Sequence, residues 1–161
     1  MLKAPNGWPE IKDFYGWSEH YMGDLANWEG LMVLVPPPAG QVFTYDGRPC
    51  RGIRVHPKIA EELKVCLAQA AAAGLWEFVK ATGGGYNFRA QRGSSKLSMH
   101  SLGAAIDIDP ENNPLGIKPE HTLLGRDRGL LVVEIFESRG WTWGGRWARP
   151  DSMHLQWGRG F

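Results

Sequence analysis

Two histidines and three aspartates in this chain stand among or beside residues that favour burial. His100, Asp107 and Asp109 lie in residues 98–109, a run otherwise made of small and apolar side chains. His154 lies some fifty residues on, with Asp151 three residues before it. Burying an imidazole or a carboxylate without a partner is costly, and a metal ion is a partner that satisfies all of them together. Two imidazoles and one carboxylate make three protein ligands. Zinc held by three ligands keeps its fourth position for water, which distinguishes a catalytic site from a structural one. Bound zinc brings the pKa of that water down to about 7. Asp151 stands at a loop-to-strand junction, where its carboxylate can reach the water without ligating the metal, the place a general base must occupy.

These residues need a sheet to bring them together. If residues 104–109 form a strand, Ala105, Asp107 and Asp109 share one face while Ile106 and Ile108 pack into the core. In a last strand over 153–157, His154 and Gln156 share a face opposite Met153, Leu155 and Trp157. Pairing of these two strands lets His100, Asp107 and His154 converge, with Gly103 making the bend after His100. Asp107 is the ligand expected from its pair, because Asp109 precedes Pro110 and serves the turn.

The rest of the chain reads as scaffold. Residues 1–30 carry Trp, Gly, Pro and Tyr without a sustained period, giving an irregular arm with one helical turn around 17–27. Strands are expected at 31–35, 41–45 and 52–55, the last two flanking a turn at 46–49. A helix begins after His56, with Pro57 in its first turn and Ile59, Leu63, Cys66, Leu67 and Ala70 at helical spacing, and Gly74 ends it. A strand is expected over 75–81, a glycine breaker at 83–85, a polar loop over 86–96 and another loop over 110–126. A second helix spans about 127–139. Helices and strands are mixed without βαβ alternation, which points to an α+β domain built on a small antiparallel sheet with helices packed on one side. His20 and His121 fall in polar loops and are expected to be solvated, and His56 to belong to its helix cap.

Composition narrows the function. The chain has 161 residues, enough for one domain spanning 1–161, with 43% hydrophobic and 22% charged residues, ordinary for a globular protein. A net charge of +1 and no run of Lys or Arg argue against nucleic acid as a partner. The two cysteines, Cys50 and Cys66, make no disulfide framework, and Cys66 reads as a buried thiol. No stretch has the length of a membrane span, and the N-terminus lacks the apolar region of a signal peptide, so synthesis in the cytoplasm without a leader is expected.

Taken together, Ser98-x-His100-x-x-Gly103-x-Ala105-x-Asp107 resembles the SxHxxGxAxD signature of the D-alanyl-D-alanine carboxypeptidase family of zinc peptidases, whose fold is shared with hedgehog-type domains. Asp151-x-Met153-His154 is similar to the closing motif of the family's phage branch, the L-alanyl-D-glutamate endolysins. The resemblance implies zinc on His100, Asp107 and His154, and Asp151 as catalytic acid/base. It implies an upstream arginine on the scissile carbonyl, for which Arg89 matches the position better and Arg92 is second. It also suggests Ser98, Arg92 and Trp143 as substrate contacts. The substrate implied is the peptide stem of peptidoglycan, cleaved by a monomer that acts on the cell wall if it is an endolysin. A D-Ala-D-Ala carboxypeptidase or dipeptidase is the second reading, and a non-catalytic zinc-binding module the third.

Overall fold

The computed structural model describes residues 2–160. Four α-helices, α1 (Trp8–Tyr15), α2 (Leu25–Gly30), α3 (Pro57–Ala72) and α4 (Gly129–Ser138), accompany eight short strands. The strands are β1 (Val33–Val35), β2 (Phe43–Tyr45), β3 (Arg48–Cys50), β4 (Ile53–Val55), β5 (Thr82–Gly84), β6 (Ala105–Ile108), β7 (Thr142–Trp143) and β8 (His154–Gln156). The central sheet runs β5-β6-β8-β7, all antiparallel, and β1-β4 and β2-β3 form two further pairs. This is the α+β arrangement expected.

α3 follows from its sequence most directly. His56 caps it, its Nδ1 accepting from the Lys58 amide at 3.2 Å, and Ile59, Leu63, Cys66, Leu67 and Ala70 form the buried stripe. That stripe meets α4, whose Val132, Val133 and Phe136 are buried in turn. Cys66 is a free thiol inside this interface, and burial pushes its pKa up to about 12.

Several expectations are corrected. The N-terminal segment is largely helical: Pro9 starts α1, Ile11 and Tyr15 are buried one turn apart, and Gly16 closes the helix at φ 71°. Residues 75–81 hold a 3₁₀ turn (Trp76–Phe78) rather than a strand. The strand falls on the glycines instead, as β5, because the chain there runs against its neighbours. A Cβ on Gly83 would sit 2.6 Å from Pro110 Cγ and 2.9 Å from Asp107 Cβ. Residues 48–50 belong to a hairpin with β2 across Asp46 and Gly47, whose φ values of 49° and 72° suit a tight hairpin turn.

The N-terminal helices brace the segments that flank β6 and β8. The Trp28 indole donates to the Ser101 carbonyl at 2.8 Å, and the Tyr15 hydroxyl donates to the Trp157 carbonyl at 2.7 Å. His56 lies edge-on to the Tyr15 ring at 5.1 Å, and burial, helped by the Lys58 charge, pushes its pKa down to about 4. An unfolded histidine takes a proton near pH 6.5. Between there and pH 4 the unfolded chain therefore binds more protons, and stability falls as pH drops through that window. His56→Asn keeps a capping acceptor but cannot titrate. It is expected to lose about 2–3 kcal/mol less stability than the parent between pH 6.5 and pH 4, read from urea midpoints. Parallel losses in the two proteins would refute this.

Candidate metal centre

Pairing of β6 with β8 places Asp107 directly opposite His154. His100 comes to the same point from a 3₁₀ turn (Met99–Leu102). Ser98 caps that turn, its Oγ accepting from the His100 amide at 3.2 Å, and Gly103 ends it at φ 64°. Only glycine fits there, since a Cβ would lie 2.4 Å from Met32 Sδ and 2.6 Å from the His56 nitrogen.

Three atoms then form a near-equilateral triangle. His100 Nε2 to His154 Nδ1 is 3.1 Å, and each of these nitrogens is 3.2 Å from Asp107 Oδ1. Both imidazoles have their outer nitrogen engaged. His100 Nδ1 lies 2.7 Å from the Gly85 carbonyl, and His154 Nε2 lies 3.0 Å from Gln156 Oε1. The Gln156 amide is itself oriented by donating to the Gly158 carbonyl at 3.0 Å. Both partners are acceptors, so the outer nitrogens carry the protons and the inner ones present lone pairs. Three lone-pair donors facing one another at this range could share a cation between them. Zinc at about 2.0–2.1 Å from each ligand sets tetrahedral edges of about 3.3–3.4 Å, close to the triangle observed. The set fits zinc, and the outer hydrogen bonds are those that orient metal-binding imidazoles. Among the described residues no other group of three His, Cys, Asp or Glu side chains brings its ligand atoms together.

Electrostatics are consistent with a cation-binding cluster. Burial alone would raise the Asp107 carboxyl, but hydrogen bonds and charge from His100 and His154 outweigh it and hold the group far below the ordinary carboxylate range. Burial would lower His154, yet Asp107, with help from Asp151 and Gln156, raises it. Asp109 takes no part in the triangle. Its carboxylate accepts from the Asn112 amide and side chain at 2.9–3.2 Å, and its φ of 43° makes the turn after β6.

Asp151 stands beside the cluster. Its backbone amide donates to the Gly144 carbonyl at 2.9 Å, and a Cβ on Gly144 would meet the Asp151 carbonyl at 2.6 Å, so that glycine lets the loop approach. Asp151 Oδ1 is buried and has no hydrogen-bond partner among the described residues. Burial raises its pKa, with Asp107 adding to this and His154, His100 and Arg92 opposing it.

The triangle opens into a cleft of about 350 Å³. Arg89, Arg92, Ser98 and Asp151 line it, as do Trp147 and Arg149, which sequence reasoning had not singled out. Both lie in a loop and approach the metal residues only through the fold, the Trp147 ring centroid standing 5.3 Å from that of His154. The Arg89 backbone is clamped by Ser101, whose Oγ donates to its carbonyl at 2.6 Å and accepts from its amide at 2.9 Å. The Arg89 side chain has no carboxylate partner among the described residues; its one hydrogen bond, to the Ala90 carbonyl, is long at 3.4 Å. Trp143 is corrected. It is 2% exposed, its indole donates to the Ser152 carbonyl at 2.9 Å, and it lines no part of the cleft, so it is a core residue.

No helix of the described residues is long and apolar enough to cross a membrane. Comparison with curated proteins and with solved structures returned no match. Residues 92–157, which carry both histidines, Asp107 and Asp151, match the model of a family described as D-alanyl-D-alanine carboxypeptidase.

Proposed function

We propose that this protein is a zinc peptidase that hydrolyses the peptide stem of peptidoglycan, and that the bond it cuts is the one between L-alanine and D-glutamate. The observation that carries the reading is the lone-pair triangle of His100, Asp107 and His154 with an unpartnered buried carboxylate oxygen of Asp151 beside it. A structural zinc site has no use for that fourth group.

His100, Asp107 and His154 would hold the metal. When bound, zinc supplies a Lewis acid and an activated water at neutral pH. Asp151, its pKa raised by burial, accepts a proton from the attacking water and later delivers it to the departing amine nitrogen. Arg89, which lines the cleft without a carboxylate to neutralise it, stabilises negative charge as it develops on the scissile carbonyl oxygen. Ser98 holds the His100 turn in place through its cap.

The description of the matching family favours a second reading, removal of a terminal D-alanine. Mass spectrometry of purified peptidoglycan after digestion by the zinc-loaded protein separates them. Stems newly ending in L-alanine, with fragments beginning in D-glutamate, are expected. Release of single D-alanine would move the assignment to a carboxypeptidase, and no released fragment at all would refute the peptidase reading.

A further inference from the structure

The cleft has two lobes that meet at the metal ligands, and they differ in chemistry. The larger, about 350 Å³, carries Arg92, Arg149, Trp147, Leu115 and Asp151 beyond the triangle. The smaller, about 210 Å³, is walled by Tyr45, Tyr86, Asn87 and the backbone of residues 83–85. Arg89 reaches both.

The arginines of the larger lobe differ from four others in the chain. Arg54, Arg128, Arg139 and Arg146 each pair with a glutamate. Arg92 and Arg149 form no ion pair among the described residues, and both stand exposed at the rim. The only acids in that lobe are Asp107, held in the metal set, and Asp151, needed for proton transfer. Two guanidiniums are thus free to take a carboxylate from outside, and their planar donor array suits one.

Asp151 also fixes which half of a substrate lies there. It lines the larger lobe and not the smaller one. A group that protonates the departing amine must stand within hydrogen-bond reach of it. The portion following the scissile bond therefore occupies the larger lobe, and the acyl portion the smaller, glycine-walled one.

On the peptidase reading above, we propose that Arg92 and Arg149 bind a free carboxylate on the leaving half of the substrate and make the enzyme selective for it. Trp147 and Leu115 supply an apolar wall for the carbon chain bearing that carboxylate. Such a group has two sources in a peptide stem. A glutamate continued through one of its carboxyls keeps the other free, and a C-terminal residue keeps its terminal carboxylate.

Two pairs of synthetic peptides distinguish the sources. In one pair the glutamate after the scissile bond carries its spare carboxyl free or amidated. In the other, a D-Ala-D-Ala terminus is free or amidated. The zinc-loaded protein is expected to cleave the free form of one pair with kcat/KM about tenfold or more above its amide. Arg149→Gln is expected to bring that ratio close to unity, chiefly through KM. Arg126→Gln, which removes the same charge at an exposed site outside both lobes, should keep the ratio. Equal cleavage of free and amidated peptides by the parent would overturn the proposal, as would an equal fall in the ratio for both variants. If no peptide is cleaved, the peptidase reading fails separately. Calorimetric titration with the same peptides then decides: a preference for the free form that Arg149→Gln abolishes supports the carboxylate site, and its absence in the parent overturns it.

Discussion

Asp151→Asn is expected to lower kcat on peptidoglycan stem peptides by about 10²–10⁴-fold while zinc stays bound stoichiometrically. The substitution keeps the shape of a side chain packed under Gly144 and removes only the capacity to take and return a proton. The parent should show an acid limb in kcat/KM that rises with pH as Asp151 ionises, burial lifting that group and the charge of the bound metal opposing it. That limb should vanish in the variant. The measurements are steady-state kinetics across pH and zinc content by mass spectrometry. An unchanged rate would remove Asp151 from the mechanism, and loss of zinc would make it a ligand.

His154→Ala is expected to lose both zinc and activity, a failure of a different kind. His154 supplies one corner of the triangle and contacts the other two, so its removal leaves His100 and Asp107 as a two-ligand site. In the parent, zinc at a hundred times its dissociation constant should add about 2.7 kcal/mol of stability, visible as a rise in Tm. The variant should show no rise over the same range. The two imidazoles bind metal only when neutral, so parent occupancy should also fall in acid as protons compete. Stoichiometric zinc in His154→Ala would refute the assignment.

The meeting of His100, Asp107 and His154 was legible because its evidence is local. Alternation along residues 104–109 and 153–157 separates Asp107 and His154 from the isoleucines and leucine that fill the core, and a two-strand pairing is the least that brings them together. α3 and α4 were legible for the same reason, each carrying a complete apolar stripe. What escaped depends on contacts between distant segments. The glycines of β5 read as a breaker, since nothing near them in sequence shows that Pro110 and Asp107 press on that strand. Trp143 and Trp147 are alike in type and four residues apart, yet one is core and the other lines the cleft; only the packing of the 144–151 loop separates them. The N-terminal helices carried their punctuation, Pro9 and Gly16, but too few turns for a period to show.

The antiparallel ladder joining β6 to β8 also acts as a ruler with a parity. Side chains alternate every residue, so inserting or deleting one residue within either strand turns its ligand to the opposite face, and a slip of two restores the face but moves the ligand about 6.8 Å along it. The spacing of Asp107 and His154 is thus quantised by the backbone, and no shift smaller than a whole residue is open to it. Substitutions in these strands can be graded by size and charge, whereas changes of length cannot be graded at all. Variation in length across this architecture belongs in the loops, such as 110–126, which separate the two strands without entering the ladder.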